Sequence, residues 1–218
     1  MPAFFWLWFW LREDKQNPEP LPIILLAFVA GMAVVPLALP LQKLVLDTYS
    51  HTNLLFLWVI IEETLKYILA LGLIFWRHEV DEPVDMVIYM IAVALGFACL
   101  ENALYMFNPF LLGDYFDVAL NGALRFVGAT LLHVLSSATV GIFLAFTFYK
   151  RAGTKLLASM LGLCLAITLH TIFNFFIMNS NGGSVLSVFL FVWVGVVILF
   201  FLFEKIKQLD LYSSHYLN

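Results

Sequence analysis

Glu62, Glu63 and Lys66 lie within "VIIEETLKYILALG" (residues 59–72), a stretch that otherwise reads as lipid-soluble helix. Further along, Glu101 and Asn102 end the run "GFACLEN", Arg125 and His133 share another apolar segment, and His170 and Asn174 share a third. On insertion scales a charge at a bilayer centre costs about 2.5–3.5 kcal/mol. The five formally charged groups Glu62, Glu63, Lys66, Glu101 and Arg125 would therefore cost on the order of 12–17 kcal/mol if unpaired, as much as the whole stability of an ordinary protein. They must share one polar cavity.

Carboxylates and imidazoles in such a cavity support two chemistries. Two histidines and one or more glutamates are the ligand types of a catalytic zinc site with an open position for water. Without metal, the same groups could deprotonate a water by general base catalysis, with Asn174 or Arg125 holding the oxyanion. Three carboxylates against Lys66 and Arg125 leave a formal charge of −1, which invites a protonated glutamate or a bound cation. Lys66 follows Glu62 by four residues, a favourable order for a helical ion pair. His170 and Asn174, also four apart, could bond between packed helices. Neighbours on a helix diverge by about 100°, so spacing leaves open whether Glu62 or Glu63 faces the cavity. The chain has no HExxH, no GxSxG and no aspartate pair in a GxGD context, so zincin, rhomboid-like and presenilin-like sites are not supported. Ser136 and Ser137, one turn from His133, are expected to serve helix packing, and Phe97 and Tyr105 to pack beside Glu101.

These side chains need helices to carry them to one depth. Of 218 residues, 63% are hydrophobic and 12% charged, and the mean hydropathy is +0.96. A soluble domain of this length could not cover its surface with so little polar material. With about 20 apolar residues per crossing, the chain reads as an all-α polytopic transmembrane bundle forming one integral membrane domain over residues 1–218. Six full spans are expected at roughly 21–41, 54–76, 84–107, 120–149, 155–178 and 185–204. The opening "MPAFFWLWFWL" is too short for a crossing and suits a short, tryptophan-rich interfacial anchor or a tilted partial span. It has no basic start and no cleavage site, so no cleavable signal is expected. The loop "REDKQNPEPLP" cannot continue a helix past its prolines. Cys99 and Cys164 lie in apolar runs and read as small core residues rather than a disulfide or metal pair. The net charge is −4, with no basic block suited to nucleic acid.

Arg12, Lys15, Arg77, Lys150, Arg151, Lys155, Lys205 and Lys207 fall on one set of loops and only Lys43 on the other. The positive-inside rule then puts the C-terminus in the cytoplasm. At 1.5 Å per residue, Glu62 and Glu63 lie roughly 12–14 Å from the outer end of their helix, Glu101 roughly 9 Å from Phe107, and His170 roughly 12 Å from Met178. His133 sits near the middle of its long helix. Separate helices thus deliver acids and imidazoles to one level in the outer half of the bilayer.

The pieces "EETLK" (62–66), "GFACLEN" (96–102), "RFVGATLLHVLSSATVG" (125–141) and "HTIFN" (170–174) resemble the PrsW family of intramembrane proteases. That family belongs to a larger group with the CAAX prenyl endopeptidases and the Aph scaffold subunit of γ-secretase. The loop "REDKQNPEP" is similar to the family's acidic, proline-containing loop. The resemblance covers residues 12–174. It implies an endopeptidase embedded in a prokaryotic cell membrane, cutting a membrane-anchored protein such as a single-span anti-sigma factor near the outer leaflet. It further implies that Glu62 or Glu63 activates water, that His133 and His170 bind metal or the water, and that Asn174 polarises the scissile carbonyl. Glu101 would be a further ligand or a partner of the histidines. If Zn2+ is present, Glu63, Glu101, His133 and His170 are the implied ligands, with Lys66, Asn102 and Arg125 supporting. Two other readings remain open. A silent Aph-like scaffold would use the polar network only to hold helices together, and a proton-coupled transporter would use it as a relay. No internal repeat favours the transporter.

Overall fold

Pro83 opens the helix around which the rest is arranged. Its fixed φ suits the first helical position, and Asp85 one turn on accepts hydrogen bonds from the backbone N–H groups of Glu82 at 2.8 Å and Asp81 at 2.9 Å, closing a capping box. The computed structural model describes residues 2–13, 17–49, 54–179 and 185–216, and all regular structure among them is helical. The helices are α1 (Pro2–Glu13), α2 (Leu21–Thr48), α3 (Leu54–Leu73), α4 (Pro83–Leu111), α5 (Tyr115–Val127), α6 (Ala129–Phe146), α7 (Ala152–Asn179) and α8 (Val185–Tyr216). Helix α4 is the axis of the bundle: it is buried on every side from Pro83 to Ala98 and touches α1, α2, α3, α5, α6 and α8. Helix α7 packs on α6 and α3.

Glycine sets the closest of these contacts. A methyl group on Gly31 of α2 would lie 1.9 Å from the Val93 carbonyl oxygen of α4, and one on Gly96 would lie 1.9 Å from that of Phe28. The two backbones therefore touch at this crossing, as small residues permit between membrane helices. Beyond it, α2 carries Pro36 and Pro40, each removing a helical hydrogen bond, and from Pro40 onward it is largely outward-facing.

Five helical stretches are long and apolar enough to cross a membrane: Leu21–Thr48, Pro83–Leu111, Tyr115–Phe146, Ala152–Met178 and Leu186–Leu209. Helix α3, expected as the sixth span, is 20 residues, about 30 Å long. Glu62, Glu63 and Lys66 keep it out of the purely apolar set. The span expected at 120–149 is broken at Gly128 into α5 and α6. A methyl group there would sit 2.5 Å from the Phe189 ring of α8, so any side chain at the break would have to displace that ring. Helix α1 is 12 residues, about 18 Å, and is too short for a full crossing. Instead of lying only against lipid it turns Trp6 and Trp10 into the bundle, with Trp10 stacked on Phe200 of α8 at 4.7 Å. The charged loop after it is tied to α4, where the Tyr89 hydroxyl donates to Glu19 and Asn17 donates to Glu82 at 2.7 Å. Cys99 is half-buried, while Cys164 is outward-facing rather than in the core.

Candidate active site

Helices α3, α4, α6 and α7 each turn ionisable groups into one interior cluster. Glu62 is 8% exposed, Glu63 1%, Lys66 0%, His133 2% and His170 2%. The observed helix ends set the depth. Glu62 stands about 12 Å from the start of α3, His170 about 14 Å from the end of α7, and Glu101 about 15 Å from the end of α4. Helix α4 continues to Leu111 rather than stopping at Phe107, and this brings Glu101 deeper than expected.

The two adjacent glutamates have separate tasks. Glu63 points into the packed interior, where its Oε1 accepts from Lys66 Nζ at 2.7 Å and from His170 Nδ1 at 2.9 Å. Its Oε2 accepts from the Ser137 hydroxyl at 3.2 Å. Lys66 thus pairs with Glu63 three residues before it, not with Glu62, and Ser137 is part of the polar network rather than mere packing. Glu62 is turned about 100° away. Its Oε1 accepts from Gln42 Nε2 of α2 at 2.8 Å, and its Oε2 faces His170 Nε2 across 3.9 Å. That separation is too long for a hydrogen bond.

The hydrogen-bond partners assign a tautomer to each neutral imidazole. An ionised Glu63 only accepts, so His170 Nδ1 donates to it, and in the neutral ring the Nε2 lone pair faces Glu62. Lys66 has donors only, and its Nζ lies 3.1 Å from His133 Nδ1. His133 therefore accepts there and donates from Nε2 to Glu101 Oε2 at 3.1 Å. The two imidazoles meet edge to face, centroids 4.9 Å apart. Phe97, also edge-on to His133 at 4.9 Å, places its ring 4.0 Å from Lys66 Nζ.

Arg125, in the last turn of α5, reaches back to α4. Its Nη2 donates to Glu101 Oε2 at 2.5 Å and its Nε donates to Asn102 Oδ1 at 2.5 Å. Asn102 in turn donates to the Thr130 hydroxyl at 3.0 Å, and the guanidinium lies 3.9 Å above the Tyr105 ring. Asn174 is half-buried one turn beyond His170, and no side-chain hydrogen bond ties it down among the described residues. The sequence reading missed Gln42, an amide isolated from the motifs on a helix without other site residues. It also missed Thr130, whose role depends on the α5–α6 break.

Among the described residues, Glu62, His133 and His170 form a group whose ligand atoms lie within 4.8 Å of one another. Two imidazoles and a carboxylate are a fitting donor set for a catalytic zinc ion, and the Glu63–His170 bond is the carboxylate support that metal-bound histidines commonly have. Glu63 and Glu101, expected among the ligands, stand behind the histidines as their hydrogen-bond partners. His133 is the member already engaged at both ring nitrogens.

The cluster opens into a groove of about 360 Å³ between α2, α3 and α4, with Gln42, Trp58, Glu62, Glu101 and Tyr105 among its lining. A larger cavity of about 450 Å³ between α6 and α7, lined by side chains such as Phe143 and Leu161, carries no carboxylate or imidazole. The arrangement sets the Glu62 carboxylate, which lines the groove, 3.9 Å from the buried His170 imidazole, a spacing that one water placed beside the pair can bridge.

A family model described as PrsW family intramembrane metalloprotease matches residues 19–203. The protein named Protease PrsW from Clostridioides difficile (strain 630) is 26% identical over 219 residues, covering 95% of this chain and 87% of its own length. Protease PrsW from Oceanobacillus iheyensis is 24% identical over 207 residues (91% and 90%), and that from Bacillus subtilis (strain 168) 25% identical over 178 residues (80% and 78%). No solved structure matches the chain.

Proposed function

The chain belongs to the PrsW family of intramembrane metalloproteases, and we propose that it hydrolyses a peptide bond of a membrane-anchored protein with a water held between Glu62 and His170. The observation that carries this reading is the 3.9 Å separation of Glu62 Oε2 and His170 Nε2, with Glu62 and Glu101 themselves lining the groove. Neither atom facing the gap has another hydrogen-bond partner among the described residues. A water there can donate to Glu62 and to the His170 lone pair, leaving an oxygen lone pair for the scissile carbonyl. Glu63 holds His170 in the tautomer that makes this possible. As the water attacks, its proton passes to Glu62, which can return it to the leaving amine. The Asn174 amide and the Arg125 guanidinium are the donors available to the developing oxyanion.

A zinc ion held by Glu62, His133 and His170 would supply a bound water of lowered pKa and polarise the carbonyl. His133, already bonded to Lys66 and Glu101, favours the second reading, in which Glu62 and His170 act on water alone. The positive-inside distribution of Arg and Lys supports a reading with the C-terminus in the cytoplasm and the site nearer the outer leaflet. A single-span protein such as an anti-sigma factor, the substrate that the family resemblance implies, is compatible with that depth. The test is cleavage of candidate single-span proteins by purified protein in nanodiscs, comparing wild type with Glu62→Ala, Glu63→Ala and His170→Ala. Undiminished cleavage by all three variants would reject the assignment.

A further inference from the structure

We propose that the cleft between α6, α7 and α8 binds an anionic phospholipid, with its acyl tail along the cleft and its phosphate among Lys150, Arg151 and Lys205. Binding of such a lipid is independent of proteolysis, because the cleft lies on a different face of α6 from His133 and Ser137.

Helices α7 and α8 each pack on α6 more closely than on one another. The cleft between them holds two adjoining cavities, one of about 450 Å³ and one of about 300 Å³, which share Ile142, Phe143 and Leu202. From Thr154 to Leu169 the lining runs about 22 Å along α7. The hydrocarbon of one leaflet is roughly 15 Å deep, half of the bilayer core, so a tail can lie in the cleft along its whole length. Thr139 and Thr147 are among the few hydroxyls in the lining. Each donates to a carbonyl of its own helix, Leu135 at 2.7 Å and Phe143 at 2.9 Å, and a saturated tail needs no hydrogen bond from them. The cleft is open on its outer side, where Leu157 is 60% exposed and Ile198 53%.

What selects the occupant is charge. Each of the three lining faces meets a cation one turn beyond its last lining residue, all at one end of the bundle. After α6, the Lys150 N–H donates to the Thr147 carbonyl at 2.8 Å, and before α7 the Thr154 N–H donates to the Arg151 carbonyl at 2.9 Å. On α8, Lys205 follows Leu202 by three residues and so continues the face that carries Val194, Ile198 and Leu202. All three cations are exposed, and among the described residues none of them is in a salt bridge. Glu204, beside Lys205, is paired with Lys207. An apolar tail that ends in a phosphate complements a cleft of this kind. A second copy of the chain does not: in the same membrane it would stand the same way up and bring its own three cations to this end.

The experiment places a photoreactive benzoylphenylalanine in the full chain at Leu157 or Ile198 in the cleft, or at Leu25 on α2. Leu25 is 51% exposed and lies near the same end of the bundle, outside the cleft. The protein is held in phosphatidylcholine nanodiscs containing about one part in ten phosphatidylglycerol, and the lipid crosslinked at each position is identified by mass spectrometry. A cation near an anionic headgroup raises binding roughly fivefold. Phosphatidylglycerol should therefore be enriched about fivefold or more over its share of the bilayer at Leu157 and Ile198, while Leu25 follows the bilayer composition. Lys150→Gln, Arg151→Gln and Lys205→Gln together should remove the enrichment. Because these side chains are exposed, the variant should keep the wild-type thermal midpoint in detergent. Equal enrichment at Leu25 and in the cleft would reduce the effect to a general attraction of the basic end for anionic lipid and overturn the proposal. Enrichment that survives in the triple variant, or crosslinking from the cleft to a second copy of the chain rather than to lipid, would overturn it as well.

Discussion

Lys66 Nζ lies 2.7 Å from Glu63 Oε1 and 3.1 Å from His133 Nδ1, with no exposure to the surroundings. A buried cation in this position serves two purposes. It balances the one carboxylate that never faces the groove, and it fixes which nitrogen of His133 bears a proton. Removing one partner of such a pair leaves an uncompensated buried charge, at a cost of about 3–5 kcal/mol. Lys66→Met should therefore lower the thermal midpoint in detergent sharply, and Lys66→Met combined with Glu63→Gln should recover much of the loss. A double variant no more stable than Lys66→Met alone would show that the two residues are not coupled.

Arg125 joins α5 to α4 through separate bonds to Glu101 and Asn102, a task for a planar fork rather than a point charge. Arg125→Lys keeps the charge but cannot span both acceptors. Cleavage by this variant is expected to fall by about tenfold or more, reflecting loss of a charge-assisted bond worth about 1.5–3 kcal/mol. Wild-type rates in Arg125→Lys would reduce the role of the guanidinium to charge alone.

Much of the site was legible because charge in hydrocarbon is costly. Glu62, Glu63, Glu101, His133 and His170 could be picked out by residue type alone, and the 1.5 Å rise then placed them near one depth. The all-α bundle followed from apolar run length. What spacing could not decide was rotation and partner choice. Lys66 had acceptors at both three and four residues' distance on α3, and packing against His133 and Phe97 selects Glu63. At the Gly128 break the close neighbour is Phe189, a residue 61 positions further along the chain, which no local pattern reveals. Gln42 becomes part of the site only because α2 leans over α3 beyond its prolines.

Gly31 and Gly96 should tolerate no side chain. With the added carbon 1.9 Å from a facing carbonyl oxygen, Gly31→Leu or Gly96→Leu must push α2 off α4. Both variants are expected to lose several kcal/mol, the upper range for overpacking. Gly72, in α3 with nothing within 4 Å of an added carbon, is the control. Gly72→Ala should be neutral or stabilising by roughly 0.5–1 kcal/mol. Urea or thermal unfolding of the three variants in one detergent checks this, and comparable losses in all three would contradict the packing described.

Metal content separates the two hydrolytic routes. If zinc is held by Glu62, His133 and His170, mass spectrometry of the purified protein should find about one ion per chain. His170→Ala should lose it, and a chelator should abolish cleavage that added zinc restores. A fully active preparation free of metal would leave Glu62 and His170 to hold the water by hydrogen bonds alone.

The role of Glu62 is the point on which the rest depends, and Glu62→Gln isolates it by keeping the side chain's shape and its place beside Gln42 while removing its capacity to take a proton. Single-turnover cleavage of a single-span substrate in nanodiscs should fall by about 10²–10⁴-fold in this variant, the usual contribution of a positioned base, with the thermal midpoint unchanged. Cleavage by Glu62→Gln within about threefold of wild type, well short of that contribution, would contradict the assignment.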